Sequence, residues 1–102
     1  MDIPELKKFL KTDKPVITDH ALEAMQDDEI TLDDLLHGVM HGEIIEEYPK
    51  AYPLPACLVK GNAPDGRALH VCLSMPPRVK IITCYIPDAE QWEDGFRKRR
   101  RK

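Results

Sequence analysis

The spacing of apolar residues changes abruptly at Gly42. Upstream of this glycine, five apolar residues recur at the i, i+3, i+4, i+7 and i+8 spacing of one helix face: Leu32, Leu35, Leu36, Val39 and Met40. Downstream, runs rich in branched and aromatic residues approach a period of two, which is typical of strands. The chain is therefore predicted to be an α+β domain, with two to three N-terminal helices packed on a mostly antiparallel sheet of about four strands.

Capping residues mark the predicted helix starts. Asp2 and Glu5 supply an N-cap and a capping-box carboxylate for the first helix. Thr18 predicts the start of a short second helix, and Thr31 with Asp34 forms a capping box for the third.

Turn residues divide the second half into four predicted strands. These strands are residues 43–48, 56–60, 69–75 and 78–86. Asp65 and Gly66 form a strong two-residue turn, which would place His70 opposite Gly61. A turn at Pro76 and Pro77 leads into the last strand, which is predicted to be the longest and most central one.

The length of 102 residues fits a single domain, residues 1–102, with a core spanning residues 3–92. Residues 88–96 are expected to form a last helical turn, with Trp92 and Phe96 packing the chain's end onto the sheet. The basic run at 97–102 is predicted to be a disordered tail.

Composition excludes several classes of protein. The net charge of -3 argues against general electrostatic binding of nucleic acid, and three cysteines without a CxxC pair fit neither a disulfide framework nor a zinc knuckle. No apolar run approaches the roughly 20 residues that cross a bilayer. We therefore expect a cytoplasmic protein that has no membrane contact and needs no cofactor.

One polar cluster is predicted on the sheet. If the second turn is as tight as the first, Thr83 lies opposite His70, and Tyr85 lies beside them on a face that also carries Cys72, Val79 and Ile81. His20 is expected in the first turn of the second helix. For both histidines two interpretations stay open, an acid/base role and a structural role that satisfies nearby backbone groups.

A metal site is a further alternative. His37 and His41 stand at i, i+4 but lack a third ligand nearby in sequence, so solvent-facing helix positions also explain them. Cys57, Cys72 and His70 could share a zinc ion, whereas buried apolar thiols explain the cysteines equally well. The spacing of these residues supports no metal, and we predict none.

Five segments, in this order and spacing, resemble a prokaryotic family of domains of unknown function of the DUF4258 type. The segments are 17–25 (ITDHALEAM), 43–49 (EIIEEYP), 57–59 (CLV), 66–71 (GRALHV) and 85–88 (YIPD). That family is similar in layout to the RelE/ParE and BrnT-like toxins. The resemblance implies a RelE-like fold, an antitoxin-like protein partner and a toxin-like, metal-independent ribonuclease of a type II toxin-antitoxin module.

The resemblance also implies site residues. His20, His70 and Tyr85 match family motif positions and would be catalytic, with histidine as acid/base for attack of a ribose 2′-OH on the adjacent phosphate. The groups assigned to bind the RNA substrate are Lys60, Arg67, Lys80 and Thr83.

The chain departs from the family where members usually carry arginines after the methionine. Here residues 26–29 are QDDE, and carboxylates near a phosphate raise its binding cost. This favours an alternative function, a catalytically silent protein-binding or regulatory module on the same fold.

Overall fold

The computed structural model describes residues 3–101, and in this range three helices and a five-stranded sheet form the fold. A two-stranded hairpin follows the sheet. The elements are α1 (Ile3–Thr12), β1 (Val16–Ile17), α2 (Asp19–Asp27), α3 (Leu32–Met40), β2 (Glu43–Tyr48), β3 (Ala56–Asn62), β4 (Ala68–Ser74), β5 (Lys80–Tyr85), β6 (Trp92–Glu93) and β7 (Lys98–Arg99). The α+β class and the mostly antiparallel sheet are confirmed. No helix among residues 3–101 is both long and apolar enough to span a bilayer.

The capping residues act as the sequence indicates. The Thr18 hydroxyl accepts a hydrogen bond from the Ala21 amide at 3.1 Å, which starts α2. Thr31 and Asp34 form the reciprocal capping box of α3, with bonds of 3.1 and 3.0 Å. The Asp2 cap predicted for α1 lies outside the described residues.

The strand order is β1-β5-β4-β3-β2, so the prediction that residues 78–86 form the longest and most central strand is wrong. The central strand is β4. On its outer side β5 has only the two-residue β1, which pairs with it in parallel and is too short to stand out in the sequence. Strand β5 begins at Lys80 rather than at residue 78 as predicted. The Ser74 hydroxyl donates to the Arg78 carbonyl and accepts from the Lys80 amide, and these two bonds hold the intervening residues in a loop.

The register between β3 and β4 differs by one residue from the prediction. Lys60, not Gly61, lies opposite His70. The turn has three loop residues rather than two, since the Gly66 amide donates to the Ala63 carbonyl and the Ala63 amide to the Arg67 carbonyl. Gly66 has a φ of +95°, as expected for the glycine that closes such a loop.

The two sheet faces have different coverings. The face that packs against the helices carries an apolar core, which includes the fully buried residues Val59, Val71 and Ile81. The predicted placement of Ile81 and Val79 with His70 is therefore wrong for both residues, which belong to this core. An irregularity between the Cys72 and Leu73 pairs shifts the register to β5, so Ile81 lies opposite Leu73.

The β6-β7 hairpin covers part of the other face. The sequence predicts a helical turn within residues 88–96 and then a disordered tail. A single turn is present, closed by the bond from the Trp92 amide to the Asp88 carbonyl, but β6 and β7 follow it in place of a disordered segment. Arg97 pairs with Glu43 and Arg99 with Glu46, so carboxylates of β2 hold the basic segment in place. Lys102, the last residue of the predicted tail, lies outside the described residues.

Helix α3 approaches β3 closely where two glycines face each other. A Cβ atom added at Gly61 would lie 1.9 Å from the Gly38 carbonyl oxygen, which is rigid backbone. A Cβ added at Gly38 would first meet the flexible end of Leu69, at 3.3 Å. The absence of a side chain at Gly61 is thus a condition of helix-sheet packing.

We expect Gly61→Ala to lower the free energy of unfolding by at least about 2 kcal/mol, because backbone must shift to admit the methyl group. Gly38→Ala is the matched control. Its cost should stay within about 1 kcal/mol, since alanine also has the higher helix propensity. Urea denaturation of both variants and the unchanged protein measures the difference. Equal stability of the two variants would contradict the close approach.

Candidate functional site

Neighbouring strands bring His70 and Tyr85 together. They are direct partners in the β4-β5 register, with 5.4 Å between ring centroids. The His70 Nδ1 atom lies 3.2 Å from the Tyr85 hydroxyl oxygen. Thr83, predicted opposite His70, instead lies opposite Cys72, one pair further along the same face. His70 and Tyr85 therefore lie at one end of the same sheet face, as predicted, but in a different register, as direct partners.

The C-terminal hairpin closes over His70, whose exposed fraction is 0%. The His70 Nε2 atom lies 2.7 Å from the Phe96 carbonyl oxygen, and Trp92 packs edge-on against the ring at 4.4 Å between centroids. A carbonyl only accepts, so Nε2 carries the proton and donates it. In the neutral ring Nδ1 is then an acceptor, and the Tyr85 hydroxyl donates to it.

The electrostatics agree with this tautomer. Burial lowers the pKa of His70, which favours the neutral imidazole. Burial also raises the pKa of Tyr85, which keeps its hydroxyl protonated as a donor. Both nitrogens of His70 are thus engaged within the protein.

An ion pair fastens the hairpin beside His70. The Arg99 guanidinium donates to both Glu46 carboxylate oxygens, at 2.8 and 3.0 Å, and lies 4.6 Å from the Trp92 ring centroid. The Tyr48 hydroxyl donates a hydrogen bond to the Glu46 carboxylate. These bonds lower the pKa of Glu46, the bond from Arg99 most. Desolvation first, and then the Glu46 carboxylate, raise the pKa of Tyr48 to about 12.

His20 lies apart from this group. It is exposed in the first turn of α2, next to Ala21, which is buried in the helix-side core. The sheet therefore separates His20 from His70 and Tyr85. The proposed three-residue constellation does not converge, because α2 packs on the face opposite the C-terminal hairpin.

The predicted substrate-binding residues are also dispersed. Arg67 bonds the carboxylates of Asp65 and Asp34 and the carbonyls of residues 28 and 29, so it fastens the β3-β4 turn to the loop between α2 and α3. The Lys60 ammonium donates to the Asn62 side chain at 3.1 Å. Lys80 is exposed at the far end of β5, beside β1.

The zinc alternative with Cys57, Cys72 and His70 is wrong. Cys57 pairs in register with Leu73, on the helix side, whereas Cys72 and His70 belong to the hairpin side. Burial also raises the pKa of the Cys57 thiol to about 11, which disfavours the thiolate that binds metal. His37 bonds the Asn62 carbonyl at 2.9 Å and packs on His41. Among residues 3–101, no three potential ligands group around a metal position.

Glu46 and Arg99 were not among the site residues predicted from the sequence. The signal available was charge, since an acidic strand at 43–47 and a basic run at 97–102 have opposite signs. Nothing in the sequence indicated that these two segments, about fifty positions apart, meet on one sheet face.

His70 should make stability depend on pH. Its folded pKa is lowered, so the unfolded chain takes up the proton first, at a pH of about 6.5. The contribution of His70 to the free energy of unfolding is therefore fully present above this pH and is lost as the pH falls from there through the folded pKa. Urea denaturation between about pH 5 and 7 should show this loss in the unchanged protein and a smaller one in His70→Gln.

The control is His20→Gln, which removes an exposed histidine of the helix side. It should retain the loss of stability shown by the unchanged protein. If His70→Gln and the unchanged protein respond equally to pH, His70 does not occupy a site that favours its neutral form.

A family model described as a domain of unknown function (DUF4258) matches residues 17–86. The matched range includes α2, α3 and β2 to β5 and ends before the hairpin that encloses His70. Neither the curated proteins nor the solved structures gave a significant match. Because this family model matches more than half of the length of the chain, the chain belongs to the DUF4258 family.

Proposed function

We propose that this domain is a catalytically silent module that acts by binding another protein. The observation that carries the proposal is the enclosure of His70, the motif histidine, with both ring nitrogens bonded inside the fold. Family-level likeness by itself assigns no chemistry, which depends on the site.

Acid/base catalysis requires a nitrogen within hydrogen-bond reach of the substrate. The Nδ1 lone pair of His70 accepts from Tyr85, and the Nε2 proton is donated to the Phe96 carbonyl. Because the exposed fraction of His70 is 0%, a ribose hydroxyl cannot reach the ring. His70 in this state is a structural side chain.

Phosphate chemistry would also require cations beside the acid/base group. Arg67 already bonds two carboxylates and two backbone carbonyls, and Lys80 stands at the opposite end of β5 from Tyr85. His20 lies across the sheet. The groups that the toxin hypothesis would bring to one phosphate are thus distributed over three regions.

Exposed apolar side chains support a binding function. Tyr52, in the loop between β2 and β3, is 96% exposed, and Val16 on the edge strand β1 is 59% exposed. Large apolar groups left in water are candidate anchors for a protein partner, because their burial on binding is favourable.

One observation favours a second candidate, the toxin-like ribonuclease with RelE-like layout and an antitoxin-like partner. His70 and Tyr85 are bonded to each other, and Lys60 of β3 lies opposite His70 on the same side of the sheet. An acid/base pair and the Lys60 ammonium would be exposed there if the hairpin, which carries Arg99, opened. RNA cleavage then depends on displacement of β6-β7.

Induced expression in a bacterial host separates the two candidates. We expect the unchanged protein to leave growth and messenger RNA as in cells carrying an empty vector, because His70 is enclosed. Arg99→Gln, which weakens the bond between the hairpin and Glu46, should also be harmless. Growth curves and RNA integrity are the measurements.

Tyr85→Phe supplies the matched control, since it removes the hydroxyl and keeps the ring. If the unchanged protein or Arg99→Gln degrades messenger RNA and Tyr85→Phe abolishes this, the domain is a ribonuclease and the silent-module proposal is wrong. Growth inhibition that persists in Tyr85→Phe would also contradict the silent-module proposal, because the activity would then come from a site other than His70.

A further inference from the structure

A groove opens where the end of α1, the edge strand β1 and the loop before β5 meet. We call it the β1 groove, and its volume is about 230 Å³. Its lining combines an apolar floor with a cationic rim, formed respectively by Phe9, Val16, Pro77 and Val79 and by Lys14, Arg78 and Lys80.

The cations of the rim are unpaired. Lys14, Arg78 and Lys80 form no ion pair or side-chain hydrogen bond within residues 3–101, and all three are exposed. Arg97, Arg99 and Arg100, by contrast, each bond a carboxylate. The rim therefore keeps its positive potential for an external ligand.

The floor provides apolar surface beside that potential. Val16 is 59% exposed although it lies in a strand of the sheet, and its amide donates at 2.9 Å to the carbonyl of Val79, whose side chain is buried in the core. The volume falls below the roughly 300 Å³ at which small-molecule pockets begin, so the groove suits one side chain of a longer ligand. An adjoining hollow of about 390 Å³ shares Phe9 and Pro77, but Glu5 and Asp13 also line it, so negatively charged residues of a ligand are disfavoured there.

We propose that the β1 groove binds an acidic peptide segment of a partner protein, with one apolar side chain on the floor and flanking carboxylates on Lys14, Arg78 and Lys80. This inference rests on the proposed function and names the partner's chemistry. Charge complementarity selects the carboxylates, and the exposed floor selects the apolar residue.

A peptide fits better than a nucleic acid. The floor is mainly aliphatic, whereas single-stranded nucleic acid is bound through exposed aromatic faces on which bases stack. A long polyanion would also be repelled by the chain's net charge of -3 and by the carboxylates of Glu5 and Asp13, which line the adjoining hollow. A short segment engages the cationic rim alone.

The test is an NMR titration of the isotope-labelled full chain with a blocked synthetic peptide that has one leucine flanked by glutamates. Amide shifts should map to Val16, Val79 and Lys80. Replacing the leucine by serine, or the glutamates by glutamines, should weaken binding at least about fivefold, since each removes one of two contributions. Raising NaCl from about 0.1 M to about 1 M should weaken it comparably, as the Debye length falls to about 3 Å.

Two substitutions test the groove itself. Arg78→Glu and Val16→Asp should each weaken peptide binding at least about tenfold, because one reverses a rim charge and the other places a carboxylate on the floor. Lys98→Glu, in β7, changes the net charge as Arg78→Glu does and should alter affinity less than about twofold. All three positions are exposed, so dispersed amide spectra should confirm folding.

Shifts that are absent, scattered, or centred away from the β1 groove would overturn the proposal, as would equal effects of Arg78→Glu and Lys98→Glu. Tighter binding of a single-stranded RNA oligonucleotide at the same amides would assign the groove to nucleic acid instead. These outcomes are separate from RNA cleavage by the His70 face, which would overturn the silent-module proposal and leave the groove result standing.

Discussion

The burial of β4 on both of its faces is the constraint from which the rest of the structure follows. On one face Leu69, Val71 and Leu73 are fully buried in the core beneath the helices. On the other, His70 is equally buried and needs a hydrogen-bond partner for each ring nitrogen, because an unpaired polar group in the interior is costly. Tyr85 of β5 supplies one and the Phe96 carbonyl supplies the other. The central strand thus fixes where the C-terminal hairpin lies.

The enclosure of His70 changes how the family resemblance is interpreted. The motif positions of His70 and Tyr85 are within the matched range 17–86, whereas Trp92, Phe96 and Arg99, which cover them, follow it. The cover is therefore contributed by a segment that the family match does not include. A motif histidine can stabilise a hairpin by the same two hydrogen bonds that would disqualify it as an acid/base catalyst.

Charge is distributed unevenly over the surface, and its pairing is more informative than its sum. The arginines near the C-terminus bond carboxylates of β2 and β6, so much of the basic run is neutralised locally. The smaller group at the β1 groove has no such partners among residues 3–101. A net charge of -3 conceals this difference, because it counts paired and unpaired cations alike.

The sequence by itself determined the elements that depend on local chemistry. Capping by Thr18, Thr31 and Asp34 and the change of period at Gly42 predict α2, α3 and the strands that follow, because caps and side-chain alternation act within a few residues. Tertiary structure alone decided the rest. The register between β3 and β4 depended on a loop one residue longer than the Asp65-Gly66 signal implied. Strand β1 forms only because β5 is there to pair with it. Whether His70 met His20 or Phe96 depended on which sheet face each segment packs against, and burial and long-range pairing settle that only when the whole chain is folded.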